Sequence, residues 1–181
     1  GIDMDTVGAA WPNDSRVIRI TSEGCDGEIL VELDRLENVK KGKGSRALVA
    51  GLAEGLCRAG FRVSGFDAYI SSNVIAAAGV SSSASFEMLI CTMINFFFNN
   101  GAMDCADCAR AGQYAENVYW NKASGMMDQM ACAVGGTILL DFAQKDRPAC
   151  RKVAFSFRNA GYGLVIVNTG GGHADLGREY S

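Results

Sequence analysis

Ten residues of little bulk, Ala76-Ala77-Ala78-Gly79-Val80-Ser81-Ser82-Ser83-Ala84-Ser85, separate a strand-like run (61–70) from a long apolar helical stretch (86–98). Tiny side chains let backbone N–H groups approach an oxyanion closely. A helix that begins inside the serine run adds the positive end of its dipole and its unpaired N–H groups. The hydroxyls supply further donors, or an oxygen ligand for a metal. Two readings stand: a phosphate-binding loop, or a serine-rich cap on a structural helix. Neither Gly-Lys-Ser/Thr nor GxGxxG is present, so the commoner phosphate loops do not apply.

A second segment bears on the choice. In Ala115-Glu116-Asn117-Val118-Tyr119-Trp120-Asn121-Lys122-Ala123-Ser124-Gly125-Met126-Met127-Asp128-Gln129, a Glu ends one predicted helix. After a polar, Gly-containing break, an Asp falls in the first turn of the next. Taken singly, Asp128 is a carboxylate placed to suit a helix dipole, and Glu116 is a solvated helix residue.

Together with the serine loop, the pattern resembles the GHMP kinases, and within them the galactokinase branch. Gly79-Val80-Ser81-Ser82-Ser83-Ala84-Ser85 is similar to that family's Gly-Leu-Ser-Ser-Ser-Ala-Ser loop. Ala115-Glu116-Asn117 and Ser124-Gly125-Met126-Met127-Asp128-Gln129 resemble its Ala-Glu-His and Cys-Gly-Ile-Met-Asp-Gln segments. A third match runs from Asn168-Thr169-Gly170-Gly171-Gly172-His173 to Glu179-Tyr180. The matches are collinear over nearly the whole chain.

The resemblance implies an α+β fold: a GHMP-kinase N-terminal domain (ribosomal-protein-S5-domain-2-like) over 1–136, then the first strands of the C-terminal domain over 137–181. It implies an ATP-dependent sugar kinase that makes galactose 1-phosphate from galactose and MgATP. Gly79, Val80, Ser81, Ser82, Ser83 and Ala84 would cradle the ATP phosphates, and Ser83 with Glu116 would hold Mg2+. Asp128 would accept or orient the proton of the attacking sugar hydroxyl, while Gly125 and Tyr180 would contact the sugar. The alternatives are a kinase for N-acetylgalactosamine or another family substrate, and a galactose- and ATP-binding regulator without catalysis.

Some positions depart from the family. Ile75 stands where proline is usual, Ala77 and Ala78 where glycine is common, and Ser124 where cysteine is usual. Each swap keeps the side chain small or apolar and removes no ligand. The family's N-terminal Gly-Glu-His-Thr-Asp-Tyr signature is not found. Gly1-Ile2-Asp3-Met4-Asp5 resembles the residues just after it, and the third glycine-rich signature is also missing. The expectation is a piece of a larger enzyme that is inactive on its own.

A net charge of −3 with no Lys/Arg stripe argues against a nucleic-acid partner. No apolar run reaches the ~18 residues a membrane span requires. Cys25, Cys57, Cys91, Cys105, Cys108, Cys132 and Cys150 sit mostly among apolar neighbours on predicted helices. This suits reduced thiols and a cytoplasmic location. The lone CxxC at 105–108 lacks partners for zinc. His173, after three glycines, is read as ordering the turn or capping the helix that starts near it. Met126, Met127 and Met130 are read as core.

Along the chain the pattern predicts an antiparallel strand pair at 16–21 and 28–33 and a helix at 45–59. A strand at 61–70 follows, then helices at 86–98, 104–119 and 126–134, and strands at 137–142, 152–157 and 163–168. The helices are expected to pack largely on one side of a sheet.

Overall fold

The computed structural model describes residues 1–42, 44–76, 78–144 and 147–167. Its main sheet holds β1 (Thr6–Pro12), β2 (Val17–Ser22), β3 (Glu28–Glu32) and β4 (Phe66–Ser72) in the order β1-β4-β2-β3. β2 and β4 run parallel, and the two outer pairings are antiparallel. The predicted 16–21/28–33 pair is β2–β3, joined through Gly24 and Gly27, both at positive φ. β1 had no alternating pattern to betray it. It is an edge strand, and its Pro12 lies at the strand's end, where a missing N–H is tolerated.

Period-2 alternation sets the two faces of this sheet. Ile18, Ile20, Val31, Phe66, Ala68 and Ile70 are buried, whereas Arg19, Leu30, Asp67 and Tyr69 point the other way. On that open face Arg19 Nη1 lies 2.6 Å from Asp67 Oδ1. The buried face receives α1 (Ser45–Arg58) and α2 (Ser82–Phe98), while α3 (Cys105–Tyr114) packs on α1 and α2, and α4 (Met127–Val134) packs on α2 and α3. α1 contributes Leu48, Leu52 and Leu56, and α2 contributes Ile90, Cys91 and Ile94. Leu48, Leu52 and Leu56 recur every fourth residue, as one stripe of an amphipathic helix must.

Local signals explain the helix ends. Gly60, at φ 88°, follows α1 in the left-handed region that glycine enters without a Cβ penalty. Asn99 closes α2 by bracketing the backbone of Arg62, accepting from its N–H and donating to its carbonyl at 2.9 Å each. A reciprocal capping box, Asp104 with Asp107, starts α3.

Three expectations shift. The 104–119 helix is α-helical only to Tyr114 and continues as a π-helical turn, Ala115–Tyr119. Strand 61–70 begins at Phe66. After β5 (Ile138–Asp141) comes β6 (Ala149–Lys152), antiparallel to it, and 153–167 contain no strand. Val165 and Val167 there are 80% and 73% exposed, with no neighbouring strand among the described residues to complete a ladder, which an alternating pattern alone cannot supply. Residue 168 and the run through Tyr180, with His173, lie outside the described residues.

Side-chain placement also corrects two expectations. Met127 is 62% exposed while Met126 and Met130 are buried. Cys25, Cys57, Cys132 and Cys150 are exposed, leaving Cys91 and Cys108 buried and Cys105 half-buried. Among the described residues no helix is long and apolar enough to cross a membrane.

The α1–α3 contact sets the position of everything at 115–119. A Cβ added at Gly51 would stand 2.7 Å from Ala115 Cα and 3.0 Å from Tyr119 Cδ2. Glu54, nearly a turn later on α1, accepts from Tyr119 Oη at 2.5 Å and Tyr114 Oη at 2.8 Å. These bonds, led by Tyr119, hold its carboxyl below the usual range. Gly51→Ala should gain at most ~1 kcal/mol of helix propensity but lose about 1–3 kcal/mol to overpacking against backbone. The net expectation is a lower urea midpoint at unchanged slope; a raised midpoint would refute the packing argument.

Candidate active site

Ser81, the residue before α2, sits at φ 61°, ψ 44°, a left-handed conformation that a non-glycine residue holds at some cost. Gly79, at φ 75°, turns the chain just ahead of it. Ser81 caps nothing. Its Oγ donates to Asp128 Oδ2 at 2.7 Å. Ser83 Oγ donates to Glu116 Oε1 at 2.9 Å. Two serines of the loop therefore reach two carboxylates, and the serine-rich cap reading loses its support.

The carboxylates come from opposite ends of one segment. Glu116 is on the π-helical turn, where the widened backbone occurs in the way such turns mark functional positions. Asp128 is in the first turn of α4. The intervening linker is pinned rather than loose. Asn117 Oδ1 accepts from Ser124 N at 2.8 Å, and Gln113 Nε2 donates to Ser124 O at 3.0 Å. Trp120 Nε1 donates to Gly44 O at 2.9 Å. The twelve-residue spacing is thereby converted into a fixed separation across the start of α2.

The first-turn N–H groups of α2 have no intrahelical acceptor, so the helix presents its positive end between these carboxylates. Val80 and Ser82 are half-buried and Ala84 is buried against the core. A cleft of about 540 Å³ opens beside the loop, lined by Asp5, Thr6, Val80, Ser81, Ser85 and Asp128 among others. Ser83 and Glu116 lie outside its walls. Asp128 therefore faces a space large enough for a small polar molecule, and Glu116 is on the other flank of the helix start. Gly125 is exposed with nothing within 4 Å of where a Cβ would be. Tyr180 lies outside the described residues.

Glu116 is 2% exposed, and Lys122 Nζ lies 2.9 Å from its Oε1 and 3.0 Å from its Oε2. Serine hydroxyl and carboxylate are the hard oxygen donors that Mg2+ prefers, and a cationic group already sits on the carboxylate. The donor set fits a magnesium ion.

Three further residues belong to the site and were not singled out from sequence. Lys122 is the one charged residue between Glu116 and Asp128, a signal that was available. Glu87 follows Ser83 by four residues, one helical turn on, and Gln129 adjoins Asp128. These two meet in the interior, where Gln129 Nε2 donates to Glu87 Oε2 at 3.1 Å. Glu87 Oε1 and Gln129 Oε1 have no partner among the described residues. The pair packs on Gly112 of α3, where a Cβ would stand 2.7 Å from Glu87 Oε2. Burial, followed by repulsion from Glu116, pushes the Glu87 carboxyl up to about 8. It therefore stays protonated at neutral pH, tying α2 to α4 without a buried charge.

The folded state keeps that proton above the usual carboxyl range, where the unfolded chain has lost it. The stabilisation is complete below about pH 4.5 and is lost as pH rises toward about 8. Urea unfolding should show the chain about 2 kcal/mol less stable near pH 8.5 than near pH 6 from this group. Glu87→Gln should remove that slope, and an equal slope in the variant would refute the assignment.

Against known proteins, the family model described as GHMP kinases N terminal domain matches residues 47–136. A galactokinase of Clostridium tetani is 32% identical over 174 residues, 93% of this chain and 42% of that protein. A galactokinase of Streptomyces coelicolor is 31% identical over 179 residues, 96% of this chain and 45% of that protein. The chain thus spans less than half the length of these curated relatives. Among solved structures, Lactococcus lactis galactokinase complexed with galactose superposes with a TM-score of 0.70 at 26% identity, covering 84% of this chain and 40% of that one. Methanococcus jannaschii mevalonate kinase superposes with a TM-score of 0.66 at 16% identity, covering 87% and 48%, a likeness of fold.

Proposed function

The chain belongs to the GHMP kinases, and from that premise we propose that the protein it forms transfers the γ-phosphoryl group of MgATP to a sugar hydroxyl, with galactose as substrate and galactose 1-phosphate as product. We assign residues 1–136 to the N-terminal domain and 137–181 to the start of the C-terminal one. One observation carries the reading: Ser81–Asp128 and Ser83–Glu116 flank the first turn of a 17-residue helix. That turn is where anionic phosphates are best stabilised.

The backbone at 79–84 cradles the phosphates, and its N–H groups need no reorganisation when charge develops on the transferring group. Magnesium held by Ser83 and Glu116 would supply charge neutralisation at phosphate oxygens. Asp128, on the wall of the adjoining cleft, takes the place of a proton acceptor for the sugar hydroxyl. The hydroxyl proton goes to its carboxylate as the new O–P bond forms and the bond from phosphorus to the ADP oxygen breaks. Before substrate arrives, the Ser81 hydroxyl occupies a carboxylate oxygen that the acceptor hydroxyl would use. Gly125 leaves open space for the sugar, and Tyr180 is assigned to it by the family motif.

The test is ATP turnover by the full-length protein with magnesium against galactose, N-acetylgalactosamine, mevalonate, homoserine and no acceptor. Turnover with galactose alone is expected. MgATP binding without turnover on any acceptor would favour a non-catalytic galactose- and ATP-binding regulator. Asp128→Asn should lower kcat by roughly 100- to 10,000-fold and leave MgATP affinity nearly unchanged. Comparable loss of both would make Asp128 a structural or metal-binding residue instead.

A further inference from the structure

Lys122 is placed where a kinase of this kind would put its metal. Its ammonium lies across both oxygens of Glu116, at 2.9 and 3.0 Å, and one of those oxygens also accepts from Ser83. The Glu116 side chain is 2% exposed and that of Lys122 47% exposed. A carboxylate so buried needs a counter-charge, since leaving it uncompensated is strongly unfavourable.

The backbone is shaped to deliver this contact. Asn121 takes φ 53°, a left-handed turn that asparagine tolerates better than most residues. Lys122 N then donates to Glu116 O at 3.0 Å. The chain folds back on itself within six residues, and the lysine returns over the glutamate. The group delivered is a compact charge on a long flexible stem, able to leave without rebuilding a planar bidentate pair.

We propose that Lys122 is a removable stand-in for the metal: it neutralises Glu116 in the empty site, yields those oxygens when the nucleotide-bound metal arrives, and then pairs with the triphosphate. This rests on the reading that Ser83 and Glu116 hold magnesium. The ammonium and a magnesium ion cannot both take the same lone pairs, because the metal must approach to ~2.1 Å. Free Mg2+ therefore has to expel the lysine into water. MgATP brings phosphate oxygens that accept the displaced charge. The lysine so couples metal binding to nucleotide binding and disfavours the bare ion.

The experiment titrates the full-length protein and its variants calorimetrically with Mg2+ alone, with ATP in the presence of a chelator, and with MgATP. Lys122→Met, which keeps the apolar stem, should bind Mg2+ alone about tenfold or more tightly than wild type. It should also bind metal-free ATP correspondingly more weakly. Glu116→Gln releases the lysine from its carboxylate and should strengthen metal-free ATP binding several-fold, a readout that survives if the Met variant does not fold. Wild type that binds MgATP, with Mg2+ affinity unchanged in Lys122→Met or metal-free ATP affinity unimproved in Glu116→Gln, overturns the proposal and leaves the kinase reading standing. Wild type that binds no MgATP overturns both.

Discussion

The backbone of α1 comes within touching distance of the segment that carries Glu116, and the site depends on that approach. Gly51 leaves no room between its own Cα and Ala115, so the two helices meet at a distance that any side chain would increase. Once they meet there, the Tyr114 and Tyr119 hydroxyls reach Glu54. The ring of Tyr119 fills the space beyond, with 1% of its surface exposed. Five residues in a π-helical turn accommodate this contact. Their widened turn sets where Glu116 emerges, facing the loop serines from the interior and not from solvent.

The second consequence is electrostatic. Bringing Glu116 and Glu87 into one interior confronts two carboxyls with limited solvation. The structure resolves the conflict by treating them differently. Glu116 receives a lysine and a serine and is kept paired. Glu87 receives an amide, and burial pushes it up to about 8, so that it serves as a neutral hydrogen-bonding group between α2 and α4. Asp128, half-buried on the cleft wall, has the Ser81 hydroxyl as partner and open space beside it. Three acids within a short radius thus hold three roles, each set by its surroundings.

Much of this was legible beforehand. The small-residue loop, its serines and the Glu-to-Asp step are local motifs, and their resemblance to the GHMP kinases pointed to Ser81, Ser83, Glu116 and Asp128, which the fold brings together. Helices α1, α2 and α4 followed from periodicity, capping and glycine signals. What stayed hidden depends on partners distant in the chain. β1 pairs with β4 some sixty residues away, and an edge strand with a weak pattern declares itself only through that pairing. The alternating run after β6 lacks such a partner among the described residues, and it forms no strand. The π-helical turn has no compositional mark, because it answers to Gly51 and Glu54 on another helix.

By itself, then, the sequence determined the local pieces: a small-residue loop whose backbone can approach an anion, two acids twelve residues apart, and a helix to supply a dipole. These rest on backbone freedom, side-chain size and hydrogen-bonding capacity, which are local properties. The tertiary structure decided the state of each acid. It paired Glu116 with Lys122, kept Glu87 protonated beside Gln129, and turned Asp128 toward the cleft. Burial and counter-charge depend on what other elements bring to the same place, and a linear string of residues holds no record of that.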